Sequence, residues 1–263
     1  MSEDKQMTFL GHLEELRWRL VRCAIAILAF SIVLWIFQEW IMEHVFLSMN
    51  KKSFLTFQLL CDYFSICIEE IPIKMQSMTM GGQFSYALTM SFMGGFVFSF
   101  PFVFYQLWSF IKPGLKLNEI TATKGIVFYV SLLFFLGITF GYLIVAPLSV
   151  QFFGSYQISK EIENNFTISS YMGTIISTIF YSGLLFLLPV VSYILTRIGL
   201  VTPEFLRKYR KHSIVVVLTL AAIITPPDVI SQIIVSIPIL ILYEIGILVS
   251  NRAAKKMLAE SNN

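Results

Sequence analysis

An all-α polytopic membrane protein is the fold class this sequence predicts, and three observations predict it. Only 13% of its 263 residues are charged while 56% are hydrophobic, and mean hydropathy is +0.75. A soluble domain carries about 25% charged residues. The charges are also segregated: none occurs from Cys23 to Gln38, Met75 to Ile111, Gly125 to Ser159, or Asn164 to Thr196. Most of these runs exceed the ~20 residues a helix needs to cross ~30 Å of hydrocarbon. Finally, Lys and Arg crowd into alternate loops, as in a multi-pass chain. Together these features exclude a soluble globular enzyme, a disordered linker and a nucleic-acid-binding domain. Residues 1–263 read as a single membrane domain of six transmembrane helices.

Residues 1–19 are expected to form a cytoplasmic amphipathic helix. Phe9, Leu13, Leu16 and Leu20 recur at helical spacing, with Glu14, Glu15, Arg17 and Arg19 on the other sides. Glu15 with Arg19, and Glu14 with Arg17, stand at intrahelical pairing distance. This helix lies on the interface and turns into the first span, Leu20–Phe37, with Trp18, Trp35 and Trp40 as interfacial anchors. The acidic start MSEDKQ and the lack of a small-residue cleavage site make it a retained helix rather than a signal peptide. Cys23 inside it reads as a small packing residue.

Segment 39–83 is expected to be a structured extracytoplasmic cap, since it is itself rich in apolar residues. Its Cys61 and Cys67 sit where an oxidising space permits a disulfide; two buried free thiols are the alternative. Three further spans follow, near Phe84–Leu107, Ile126–Leu148 and Ser170–Leu195. Pro101, Pro189 and Pro238 lie within spans and bend them, giving a concave bundle. Gly137 and Gly141 form a GxxxG, read as plain helix packing ahead of self-association.

The last apolar stretch splits at Pro226-Pro227. Ser213–Pro227 and Val229–Tyr243 are separated by Asp228 and closed by Glu244, so two short final helices are expected. Residues 250–263 form a tail. With six spans and the N-terminus inside, fifteen of the 19 Lys and Arg residues are cytoplasmic, which places both termini there.

Chemistry is thinly represented. His12, His44 and His212 all fall outside the apolar spans, so no base or metal ligand sits at depth. HExxH, GxSxG and Walker-type loops are missing. The protein therefore reads as no enzyme, with no cofactor and no metal.

The letters of the motifs carry more. HLEELR at His12–Arg17 resembles the N-terminal signature of TatC, the core membrane subunit of twin-arginine protein translocation. FPFVFYQLWSFIKPGL at Phe100–Leu115, FGYLIVAPL at Phe140–Leu148 and GLVTPEFLRKYRK at Gly199–Lys211 continue the resemblance in order. ITPPDVISQ at Ile224–Gln232 and YEIGI at Tyr243–Ile247 complete it.

The resemblance implies a receptor for twin-arginine signal peptides in the bacterial cytoplasmic (inner) membrane. Such a translocase exports folded proteins on the proton-motive force. Arginine is permanently charged and bonds carboxylates in bidentate fashion, so its receptor should offer surface acids. Glu15 and Glu119 match family positions for that role. Arg17 would orient the acid or meet backbone groups, and Leu16 and Phe110 would flank the acids and contact the signal's apolar part, with plain helix packing as the simpler reading. Thr225, Gln232 and Asp228 would form a docking face for small single-span subunits, although capping of the last helix is the plain reading for Asp228. Implied partners are twin-arginine precursors, TatA- and TatB-like subunits, membrane lipid and further copies of the chain, with no nucleic acid. Two departures stand out: Ile120 replaces a common basic residue after Glu119, and Leu187 replaces an acid that relatives often carry within the fourth span. From another class, a small-solute secondary transporter would need repeats and charges at depth, and neither is visible.

Overall fold

The computed structural model describes residues 9–65, 74–112, 125–159, 164–224 and 229–261. In chain order its helices are α1 (Phe9–Ile36), α2 (Gln38–Ile41), α3 (Leu55–Phe64), α4 (Gly82–Ile111), α5 (Ile126–Phe140) and α6 (Ala146–Ser155). They continue with α7 (Ile168–Leu185), α8 (Leu188–Arg197), α9 (Pro203–Lys208), α10 (Arg210–Ile224) and α11 (Val229–Ser261). Strands β1 (Lys74–Gln76) and β2 (Asn165–Thr167) pair in parallel, Lys74 opposite Asn165. Among the described residues, five helices are long and apolar enough to cross a membrane: Gly11–Ile36, Gly82–Ile111, Ile126–Ser155, Ile168–Arg197 and Gln232–Met257. The chain packs as two compact units, Met1–Gln38 with Leu88–Ser131, and Glu39–Ala87 with Leu132–Asn263.

In the first unit α1 is one unbroken helix of 28 residues, about 42 Å long at 1.5 Å per residue. The amphipathic segment thus runs into the first span as one helix. No proline and, after Gly11, no glycine interrupts the stretch, so nothing breaks its hydrogen-bond ladder. Its inner face is narrow: Cys23, a free thiol, and Ser31 are buried, while Ile25, Ile32, Val33 and Ile36 are exposed as a lipid-facing helix requires. Opposite lies α4, where a Cβ on Gly95 would stand 2.8 Å from the Ile27 carbonyl oxygen. Only glycine allows the two backbones to approach so closely.

The second unit is built on α5–α6, α7–α8 and α10–α11. A π-type turn at Gly141–Val145 joins α5 to α6 as one rod. Gly137 and Gly141 face α7: their Cβ atoms would stand 2.6 Å from the Ser182 carbonyl oxygen and 2.9 Å from Ile179 Cα. The GxxxG thus serves packing within the chain. α7 stops at Phe186-Leu187 and α8 restarts with Pro189 in its first turn, a position where proline's missing N–H costs nothing. Leu188 and Leu185 pack on a buried apolar cluster of Val145, Val217, Ala221, Val235 and Ile239. The α8–α11 contact relies on small residues. A Cβ on Gly246 would meet Ser192 Oγ at 3.1 Å, and the Thr196 and Ser250 hydroxyls lie 2.6 Å apart in a buried bond.

Residues 39–65 pack on this unit through side-chain hydrogen bonds. Tyr142 donates its hydroxyl to the Val45 carbonyl (3.1 Å), Tyr171 to the Phe46 carbonyl (2.7 Å), and Thr56 to the Leu143 carbonyl. Phe54 packs edge-on to Tyr142. Cys61, in the last turns of α3, is not a free thiol; Cys67 lies outside the described residues.

Of the two final helices expected to be short, the last is long. α10 has 15 residues, about 22 Å, and ends where residues 225–228 fall outside the description. α11 instead runs 33 residues without a break. Glu244 does not close it, because Arg210 meets its carboxylate at 2.6 Å and the apolar run resumes at Ile245. Residues 250–261 continue the same helix.

Candidate functional site

Within the first unit, the end of α4 that carries Gln106 and Phe110 lies against the first three turns of α1. Helical spacing places His12, Glu15 and Arg19 on the α1 face that meets it. Arg19 donates from Nη2 (2.5 Å) and Nε (2.9 Å) to the same oxygen of Glu15, Oε1. Its remaining nitrogen, Nη1, stands 3.4 Å from both the backbone carbonyl and the side-chain oxygen of Gln106. The guanidinium therefore ties Glu15 to α4 across 87 residues of sequence. Both partners are largely shielded, with 18% and 23% of their side chains exposed, so these charge-assisted bonds resist solvent screening.

The other carboxylate oxygen is unusual. Glu15 Oε2 is buried and has no hydrogen-bond partner among the described residues. On that side stands His12, whose Nδ1 is 3.9 Å away, beyond hydrogen-bond reach. The His12 ring lies flat on Phe110, centroids 4.2 Å apart and planes 13° from parallel. A carboxylate with one oxygen saturated and one undonated is an acceptor with spare capacity for a cation. Leaving such an oxygen bare costs about 1–3 kcal/mol or more, and that cost is recovered when a donor arrives.

Of the residues singled out from sequence, Glu15 and Phe110 stand together here, and Leu16 is half-buried on the same helix. Arg17 stands apart. It is exposed, pairs with Glu14 at 3.6 Å and lies over the Trp18 ring. The group that orients Glu15 is Arg19. Sequence reasoning saw the Glu15–Arg19 spacing but read it as an ordinary ion pair. His12 and Gln106 were missed as neighbours: His12 belonged to the motif without a role, and Gln106 has no local signal at all. Glu119, Thr225 and Asp228 lie outside the described residues. Gln232 donates from Nε2 to the Leu218 carbonyl (3.1 Å), joining α11 to α10. Leu187 sits half-buried at the break between α7 and α8.

Three comparisons place these features. The family model described as Sec-independent protein translocase protein (TatC) matches residues 11–238. The TatC protein of Blattabacterium sp. subsp. Periplaneta americana (strain BPLAN) is 36% identical over 97% of this chain and 99% of its own. TatCy of Bacillus subtilis (strain 168) is 34% identical over 95% of this chain and 91% of its own. A crystal structure of the twin arginine translocase receptor TatC superposes with a TM-score of 0.69 at 30% identity, covering 92% of this chain and 99% of that one.

Proposed function

The chain belongs to the TatC family of Sec-independent protein translocase proteins, and we propose that it is the subunit that reads twin-arginine signal peptides. The observation that carries this reading is the unsatisfied oxygen of Glu15, held in place by Arg19 and Gln106. A guanidinium is the donor best matched to it, being planar, permanently charged and weakly hydrated. Glu119 is the second acid, one for each arginine of the signal, and Leu16 and Phe110 meet the apolar residues beside them.

The Lys and Arg distribution supports an inner-membrane topology with both termini cytoplasmic, which puts Glu15 on the face where precursors are made. Small single-span subunits dock at a face that includes Thr225, Asp228 and Gln232. Gln232 spends its amide nitrogen on Leu218, and its oxygen is the atom that would accept from a partner helix. Transport draws on the proton-motive force, as the family resemblance implies.

The test is a photo-crosslinker at position 16, which leaves Glu15 intact. A precursor with a twin-arginine signal should crosslink, and its twin-lysine counterpart should not. Equal crosslinking of the two would remove the basis for the receptor reading.

A further inference from the structure

The imidazole of His12 occupies a place with a particular chemistry. It is a flat, nitrogen-bearing ring laid parallel on the Phe110 face at 4.2 Å, and its Nδ1 is directed toward Glu15 Oε2 at 3.9 Å. It is also too far away to satisfy that oxygen. A guanidinium has the same planarity, stacks on aromatic faces and carries two N–H groups along one edge. It could lie on Phe110 where the imidazole lies and complete the bond that the imidazole does not make.

We infer that His12 is a placeholder for a signal-peptide guanidinium, and that the Phe110 ring is the platform that selects arginine over lysine. The inference rests on the receptor reading and adds its stereochemistry. On binding, the His12 side chain leaves the Phe110 face, the incoming guanidinium takes its place, and its N–H groups donate to Glu15 Oε2. Arg19 keeps Oε1 throughout, so Glu15 holds two guanidinium groups at once, one resident and one from the signal. The exposure of the pair allows the exchange: His12 is 41% exposed and has no hydrogen-bond partner among the described residues that it must abandon. Lysine gains little from this seat. Its ammonium is a compact, strongly hydrated point charge that cannot replace a planar ring on an aromatic face.

The experiment measures binding of fluorescent twin-arginine and twin-lysine signal peptides to the full-length protein in detergent, by anisotropy. Wild type should prefer arginine by about tenfold or more, the scale of one charge-assisted bond plus stacking. Phe110→Leu keeps the apolar bulk and removes the ring, and should cut that preference about fivefold, almost entirely through loss of arginine binding. Phe110→Tyr restores a ring and should restore the preference, which separates recognition from folding. His12→Ala empties the seat and should strengthen twin-arginine binding about threefold while leaving twin-lysine binding unchanged, because displacing a resident group costs affinity. An unchanged arginine-to-lysine ratio in Phe110→Leu, or weaker arginine binding in His12→Ala, overturns the placeholder assignment alone. Equal affinities in wild type overturn the receptor reading and this assignment with it.

Discussion

Glu15 and Arg19 meet at 2.5 Å in the first unit, and Glu244 and Arg210 at 2.6 Å in the second, yet their surroundings differ. The first pair sits on one helix, four residues apart, and is largely shielded; the second bridges α10 and α11 and is half-exposed on both sides. Arg19 is tied further to Gln106, and its acid keeps a buried oxygen without a donor among the described residues. Glu244 shows no such buried vacancy. What distinguishes the two pairs is therefore not the pairing of charges but the hydrogen-bonding capacity left over after pairing.

The largest effect should follow from removing that capacity. Glu15→Gln leaves the shape and deletes the charge, and should weaken twin-arginine peptide binding at least tenfold, given about 1.5–3 kcal/mol for a hydrogen bond to a charged group. Glu244→Gln should leave the same affinity within about twofold, since its pair belongs to the second unit and exposed pairs contribute little. Comparable losses in the two variants, read by peptide anisotropy, would show that the contrast between the pairs is false.

A second contrast concerns where stability resides. Gly137 meets the Ser182 carbonyl and the Gly183 backbone, atoms that cannot swing aside, whereas a Cβ at Gly173 would meet nothing within 4 Å. Gly137→Ala should therefore cost about 1–3 kcal/mol through overpacking, visible as a lower thermal midpoint in detergent. Gly173→Ala should be neutral or slightly stabilising because alanine suits a helix. Peptide affinity of the folded fraction should not move in either, since both glycines lie in the second unit. A Gly137→Ala protein with an unchanged midpoint would mean that the α5–α7 contact is looser than its geometry implies.

Much of this was legible in the letters, and the gaps have physical causes. Charge-free runs located four of the five long apolar helices among the described residues, because burying a charge in hydrocarbon is costly and sequences avoid it. The same rule misjudged α11: Glu244 looked like an end until Arg210, 34 residues away, supplied its counter-charge. The amphipathic start was read from its spacing, and it continues into the span as one helix because nothing breaks its ladder. Glu15 emerged from a motif and Arg19 from its spacing. Gln106 and the seating of His12 on Phe110 could not emerge, because only the folding of α4 against α1 brings residues so distant in sequence together. Small-residue packing was half visible: the GxxxG at Gly137 showed itself by spacing, while Gly246 against Ser192 has no repeat to announce it.

The smallest effect tests whether the second pair is as ordinary as its exposure suggests. Arg210 opens α10 and Glu244 lies midway along α11, so the pair straps the two helices at a level where α11 itself carries exposed apolar side chains such as Ile241 and Ile245. A double-mutant cycle with Arg210→Gln and Glu244→Gln isolates the coupling from the other effects of each change. In water, half-exposed pairs of this kind contribute about 0–1 kcal/mol, and a coupling of about 0.5 kcal/mol is expected if headgroups and water reach it. A coupling above about 2 kcal/mol would mean that lipid shields the pair. Glu244 would then be a charge held at depth by its partner, and the second unit would hold an ionic lock as consequential for its fold as Glu15 is proposed to be for recognition in the first.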